Sequence, residues 1–545
     1  MVMLAQQSTL AVLLFLLVIA LVVGLSCHLI RRSSSPAGYF VASGSVHWGV
    51  NGISFVGDYL SAASFLGVGG MIAVAGYDGF LYSIGFLSGW VVLLLLLAEP
   101  VRRLGHFTFT DAIDAYFQSR GLRLAAAIST LVVSIFYLIP QMVGAGALIT
   151  PLLGVPHYVG VLLVGSVVTI IVATSGMVST TYVQCFKGAL LLVVSLVLVG
   201  AVLERGFTVD DAGVIVPVVA ASAQPADARS LNATGVLGPL DFLQRFYAGD
   251  IYQVRADSDG SVSPDFTQKK SGAAILSSGG LFNLASGKFL ERIDFISLML
   301  ALICGTAALP HILIRYYTVS SNVAARKSTI VAISGVGLFY LLSLFIGLGA
   351  MASGTINLAD SNMAVPLLAK SFGIVFFAIV TAIAFSAVLG TVSGLIIAAS
   401  GAVAHDIMDR VLGIKMTALE KVAAGRIAAV IVGCVAIYLG LVFEGMNVSY
   451  LAGWAFAVAA SANLPALLMA LFWQRTTSRG VVAAILSGLV ISLALILLSP
   501  EMYLRYGYDA IQAPVQLNHP AIIAMPISLL ALIVVSLRAK KAPLR

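Results

Sequence analysis

Gly57-Asp58-Tyr59-Leu60-Ser61-Ala62-Ala63-Ser64-Phe65-Leu66-Gly67 stands in the middle of an apolar run at 46–76. A helix that only anchors a chain can be uniformly apolar, whereas this one gathers glycines, hydroxyls and a carboxylate at mid-run. It is expected to cross the bilayer as a broken helix, with the break at a working site. Cys304-Gly305-Thr306-Ala307-Ala308-Leu309-Pro310-His311 interrupts the run at 293–314 in the same manner. These two interruptions decide the fold.

The rest of the chain supplies the frame. Of 545 residues 60% are apolar and 10% are Asp, Glu, Lys or Arg, against roughly 25% charged in a soluble domain. A soluble or single-pass protein is excluded. Apolar runs fall at 10–30, 46–76, 80–98, 122–149, 157–174, 178–203, 293–314, 328–354, 372–404, 421–442, 446–472, 480–498 and 520–537; at about 20 residues per crossing each spans once, giving about thirteen transmembrane helices in an all-α polytopic protein. The first run reads as a retained helix rather than a cleaved signal.

Alternate loops must lie on opposite sides. One set carries Arg31, Arg32, Arg102, Arg103, Arg120, Arg123, Arg315, Arg326, Lys327, Arg410, Lys415, Lys421, Arg426, Arg475, Arg479, Arg538, Lys540, Lys541 and Arg545, whereas the opposite short loops carry only Lys370 and Arg505. The basic set marks the cytoplasm, so the N-terminus is expected outside and the C-terminus inside. The formal charge of +7 therefore reads as membrane topology, not as a nucleic-acid surface. The polar segment 204–292 falls outside and is expected to have little core of its own. Lys187 lies within a span, where it could neutralise a carboxylate, but a long side chain near a helix end is expected to snorkel to the interface; Arg315 is expected to be an interfacial anchor. Cys27, Cys185, Cys304 and Cys434 show no metal or redox spacing and read as small core residues.

Counted along the chain, the interrupted runs are the second and the seventh. Spans two to six and seven to eleven then form sets of five, and an odd number of crossings makes the second set enter from the opposite face. Two inverted repeats with broken first members are the sequence pointer to a secondary transporter whose site lies at the midplane. The segments are 1–45, an outer N-terminus and flanking helix; 46–203, the first repeat; 204–292, the outer loop; 293–472, the second repeat; and 473–545, two flanking helices and a tail.

GDYLSAASFLG at 57–67, GTAALPHILIRYYTVSSNVAARKS at 305–328, AFSAVLGTVSGLIIAASGAVAHDI at 384–407 and LVFEGMNVSYLAGWAFAVAASANLPALLMALFWQRTTSRG at 441–480 resemble the acetate permease branch of the sodium:solute symporter family. The resemblance implies a five-plus-five inverted-repeat core of the leucine-transporter type. It also implies cation-coupled uptake of short monocarboxylates such as acetate, propionate, glycolate or pyruvate across a bacterial cytoplasmic membrane.

By that resemblance a sodium site falls on the carbonyls of Gly57, Leu60 and Ala387, with hydroxyls expected at 390 and 391. Thr391 keeps one, while Gly390 removes the other; Ser386 or Ser393, on the same helix face, can compensate. Sodium and a proton both stand as coupling ion, the proton because Asp58 is an ionisable group inside a span. No other cofactor is implied. An anionic substrate needs donors at an unwound helix, which Gly305 and Thr306 are placed to supply. Asp58, Ser61 and Ser64 on the first broken helix, Tyr137 and Gln141 on one face of the fourth span, and Trp454 against the methyl end complete the expected pocket. Each of these serves helix packing equally well on its own. His311 reads as a hydrogen-bonded packing residue beside Pro310.

No GxxxxGK[ST] phosphate loop and no HExxH metal motif occurs, and the histidines are scattered, so an enzyme or an ATP-driven pump has no local support. The alternatives are a passive channel, a transporter-like sensor, or a symporter of the same family with another organic substrate.

Overall fold

The computed structural model describes residues 46–104, 108–174, 177–217, 231–256, 262–279, 282 and 289–539, with scattered positions between 9 and 24. The first expected span at 10–30, the basic pair Arg31 and Arg32 and Cys27 fall largely or wholly outside the described residues. Ten described helices are long and apolar enough to cross a membrane, or up to 11 when one bent pair counts as a span.

The principal helices are α1 (Trp48–Tyr59), α2 (Gly69–Ala75), α3 (Tyr77–Val92), α4 (Arg120–Leu153), α5 (His157–Thr174), α6 (Met177–Arg205), α7 (Phe289–Thr306), α8 (Pro310–Leu313), α9 (Asn322–Ser353), α10 (Ile374–Gly401), α11 (Ala418–Val442), α12 (Val448–Phe472), α13 (Ser478–Leu497) and α14 (Ala521–Arg538). Both interruptions are real. The chain leaves α1 at Leu60, whose backbone is extended (φ −73°, ψ 99°), and resumes through a wide turn at Ala63–Val68 into α2, with a bend of 60° between the two halves. The α7 helix stops at Thr306 and restarts at Pro310. Proline has no N–H and its ring excludes the preceding turn, so Leu309 is extended and Pro310 opens α8 as its first residue.

Packing follows the exchange of one five-span set for the other. The α1 helix packs along α6, the last helix of its own set, and α7 packs along α12, the last of its set. Across the sets α1 meets α9, and α7 meets α3; α6 meets α10, and α12 meets α4. Each of these contacts has its counterpart after a shift of five spans. The close approaches rest on glycine. A Cβ on Gly57 would overlap the Gln184 carbonyl of α6, and one on Gly305 would overlap the Phe456 carbonyl of α12. Each broken helix therefore lies backbone to backbone on its fifth partner, as small residues permit in a lipid-embedded bundle. The flanking α13 and α14 pair with each other and rest on α12.

The segment 204–292 has more structure than its composition suggests. Asp250–Ala256 and Val262–Ser271 form an antiparallel hairpin, and Tyr252 packs with Val214 and Val216 in a small core. Asp210 accepts the Tyr252 hydroxyl at 2.9 Å and the amides of Ala212 and Val214. The helix Pro239–Ala248 buries Phe242 and Phe246, stacking them with Phe207 and with Phe345 of α9. The expectation of little core fails because a few aromatics, spaced four apart on a short helix, suffice to pin a polar segment onto the bundle.

Candidate functional site

The two breaks cross, and the side chains at the crossing sort into two neighbourhoods. In the first, the Tyr59 hydroxyl at the end of α1 and the Thr306 hydroxyl at the end of α7 lie 2.8 Å apart, and Thr306 also donates to the Leu302 carbonyl at 2.7 Å. Just past the α1 break, Gln141 of α4 donates to Ser61 Oγ at 3.2 Å and accepts from the Ala62 amide at 3.3 Å. The Tyr137 hydroxyl stands 3.5 Å from Ser61 Oγ, and Ser64 pairs with the Tyr340 hydroxyl at 3.2 Å. Phe456 ties these together, its ring contacting Tyr59, Phe86 and Tyr137 edge-on, while Phe86 stacks on Tyr340. The neighbourhood is a closed chamber, filled by its own hydroxyls and one amide and walled by aromatic rings.

The second neighbourhood lies on the other side of the α1 break and holds charge. Arg315, in the turn after α8, donates through Nε to Asp58 Oδ2 at 2.6 Å, and both side chains are about fully buried, at 0% and 1% exposure. Gln184 of α6 donates to the other carboxylate oxygen at 3.0 Å and accepts from Lys187 Nζ at 2.6 Å. Lys187, 1% exposed, also donates to the Ala387 carbonyl of α10 at 3.3 Å. Thr391 donates to the Asp58 carbonyl at 2.9 Å and approaches the Ala387 carbonyl at 3.3 Å. Gly394 admits the Asp58 carboxylate, which would stand 3.0 Å from a Cβ there.

Most of the residues singled out from sequence come together here. Ser61, Tyr137 and Gln141 meet directly, Ser64 and Thr306 line the same chamber, and Gly305 seats α7 against Phe456. Gly57, Asp58, Leu60, Ala387, Gly390 and Thr391 meet at the charged side. Four expectations need correction. Trp454 stands away from the chamber: its indole donates to the Asn518 carbonyl at 2.9 Å and its ring packs on Phe443 and Tyr450. Two residues along an α-helix turn the side chain to the opposite face, so Phe456 takes the inward position. Ser393 donates to Leu389 of its own helix at 2.7 Å, and the hydroxyl of Ser386, the other expected compensator, is buried with no hydrogen-bond partner among the described residues. Lys187 and Arg315 do not snorkel: Lys187 donates to Gln184 and Ala387, and Arg315 donates through Nε to Asp58 while both its Nη groups stand buried with no hydrogen-bond partner among the described residues. His311 packs against the Tyr137 ring, and neither ring nitrogen has a hydrogen-bond partner among the described residues.

Sequence reasoning missed Gln184, Lys187 and Arg315 as one network with Asp58. The available signal was charge itself: basic residues several positions inside a span are functional by default. Tyr59, Phe86, Tyr340 and Phe456 carried no such signal, being aromatic residues in apolar helices.

Two broken helices that meet between paired inverted repeats define the fold of a secondary transporter. A family model described as the sodium:solute symporter family matches residues 39–243 and 257–488, and the chain belongs to that family. It is an integral membrane protein and a transporter, not an enzyme. It is 37% identical over 530 residues to an uncharacterised symporter, YwcA, of Bacillus subtilis (strain 168), covering 95% of this chain and 92% of that one. It is 39% identical over 521 residues to a monocarboxylic acid transporter of Corynebacterium glutamicum, covering 92% and 86%. In fold it is similar to a Na+-coupled sialic acid symporter in a substrate-bound outward-open state, with TM-score 0.70, 12% identity and coverage of 99% and 100%. It is also similar to the inward-facing conformation of Mhp1, with TM-score 0.50, 13% identity and coverage of 91% and 93%.

Proposed function

We propose that this symporter carries short-chain monocarboxylates such as acetate, propionate, glycolate or pyruvate into the cell, coupled to a cation gradient, across a bacterial cytoplasmic membrane with its N-terminus outside. The observation that carries this reading is the chamber where Tyr59 meets Thr306. Its lining is hydroxyl, amide and aromatic, and the neighbouring carboxylate, Asp58, is already neutralised by Arg315. An anion entering it meets donors and no uncompensated negative charge. Hydroxyls and an amide suit a carboxylate, because bonds to an ionised acceptor are stronger than neutral ones. The rings of Tyr59, Phe86, Tyr137 and Phe456 suit a short alkyl tail and leave little room for more. The relative named for monocarboxylic acids supports the same substrate class.

In operation, a carboxylate bound at the break draws the Ser61, Tyr137 and Thr306 hydroxyls onto itself, exchanging their mutual bonds for bonds to substrate. The half-helices on either side of the two breaks rock about this fixed point to expose one face and then the other. The polar pairs at the two ends are the closures that must part. Asn447 donates to the Gly67 carbonyl at 3.2 Å and Asn362 to Met446 at 2.9 Å at one end; Thr108 donates to Asp406 at 3.1 Å at the other.

Competition against labelled acetate in proteoliposomes tests the substrate class. Propionate, glycolate and pyruvate are expected to compete, whereas glucose, proline and acetamide are not. Displacement by a sugar or an amino acid to the same extent as by propionate contradicts the monocarboxylate assignment. A channel or a sensor would show no counterflow of labelled acetate.

A further inference from the structure

The position where this family places a sodium ion, between the α1 break and α10, is lined here by the Ala387 carbonyl and the Thr391 hydroxyl. A cation already stands among those oxygens. Lys187 Nζ donates to the Ala387 carbonyl at 3.3 Å and to Gln184 Oε1 at 2.6 Å, and Gln184 passes the contact on to Asp58 at 3.0 Å. Gly390 is what makes the seat. A Cβ built on it would overlap Lys187 Nζ itself, with the Lys187 Cε 2.7 Å away and Gln184 Oε1 2.6 Å away. The position from which a serine would reach a sodium ion is thus the volume the ammonium fills. The same glycine that removes a ligand oxygen admits a replacement charge.

We propose that the Lys187 ammonium is the resident cation of this site, tethered through α6, and that no sodium ion binds between α1 and α10 in this protein. Two features support this together. The ammonium takes oxygens that a sodium ion would need. As an ammonium it brings positive charge onto that position, so a second cation entering there would be repelled at contact distance. The residues present do not fit sodium, and the Lys187 ammonium stands where an ion would join α1 to α10. The inference rests on the symporter reading for the meaning of the site, but not on the identity of the substrate.

The test measures thermal unfolding of the purified full-length protein in sodium chloride and in choline chloride at matched ionic strength. It uses the parent, Lys187→Ala, Gly390→Ser and the double variant. The parent is expected to unfold at the same temperature in both salts. Gly390→Ser is expected to lose several degrees, because serine and ammonium claim one volume. Lys187→Ala in that background is expected to recover at least half of the loss, the non-additivity that marks residues in contact. A rise in the parent's unfolding temperature that is specific to sodium and abolished by Thr391→Val would overturn the proposal. Strictly additive effects of the two substitutions would overturn it as well. None of these readings uses acetate, so an absence of acetate uptake under every gradient would remove the substrate assignment and leave the occupancy result standing.

Discussion

Arg315 donates to Asp58 at 2.6 Å where the two broken helices cross, and the pair is nearly inaccessible to water. With Lys187 joined through Gln184, the cluster holds one carboxylate against two basic side chains. Removing its only anion is therefore more damaging than removing either cation. Asp58→Asn is expected to lower stability by about 3–5 kcal/mol, the cost of leaving buried charge uncompensated. Arg315→Gln leaves Asp58 balanced by Lys187 and is expected to cost less. Thermal unfolding of the two variants checks the order; a more severe loss in Arg315→Gln would contradict this charge balance.

The 2.8 Å contact between Tyr59 and Thr306 joins the ends of the two half-helices. Thr306→Val leaves the Tyr59 hydroxyl only its long 3.4 Å bond to the Phe86 carbonyl and is expected to cost about 1 kcal/mol. It is expected to weaken all carboxylates in parallel, because the hydroxyl serves the shared group and not the tail. The check is a set of half-maximal concentrations for acetate, propionate and pyruvate; a selective loss of one acid would place Thr306 at the tail.

Phe456 and Trp454 provide an internal control on which face of α12 the substrate meets. Phe456→Leu widens the chamber and is expected to shift the ranking toward longer chains, by roughly 1–3 kcal/mol per methylene that newly fits. Trp454→Leu is expected to leave the ranking unchanged, since its indole is committed to Asn518. Competition by acids of increasing length distinguishes the two positions.

Gly57 and Gly305 hold equivalent places in the two repeats. A methyl on either would meet the backbone of the fifth helix of its set, so Gly57→Ala and Gly305→Ala are each expected to cost about 1–3 kcal/mol by overpacking. Folded yield and unfolding temperature measure this. A neutral effect at either position would show that its helix is free to move off its partner.

Much of this arrangement was legible in the sequence. The two breaks could be read because Gly, Asp, Ser and Pro interrupt runs that lipid would otherwise keep apolar, and the inverted relation followed from counting spans. Asp58, Ser61, Gln141 and Thr391 could be read for the same reason: polar atoms in a span need partners. What stayed hidden was who those partners were. Snorkelling explained Lys187 and Arg315 equally well from sequence, and only the crossing of α1 with α6 and α10 shows that internal oxygens reach them first. Gly390 read as a loss because a missing hydroxyl is visible in a sequence and the volume it vacates is not. Phe456 was passed over for Trp454 because a period of 3.6 does not say which face of a fully buried helix points inward.

The most direct measurement of the central claim is accumulation of labelled acetate in proteoliposomes with a sodium gradient, a proton gradient and a membrane potential imposed one at a time. The account expects uphill accumulation under an inward proton gradient with all sodium replaced by choline, abolished when that gradient is collapsed. Equilibration to the same level with and without every gradient would contradict coupled symport, and accumulation that requires sodium would contradict proton coupling and place a sodium ion elsewhere than the seat Lys187 fills.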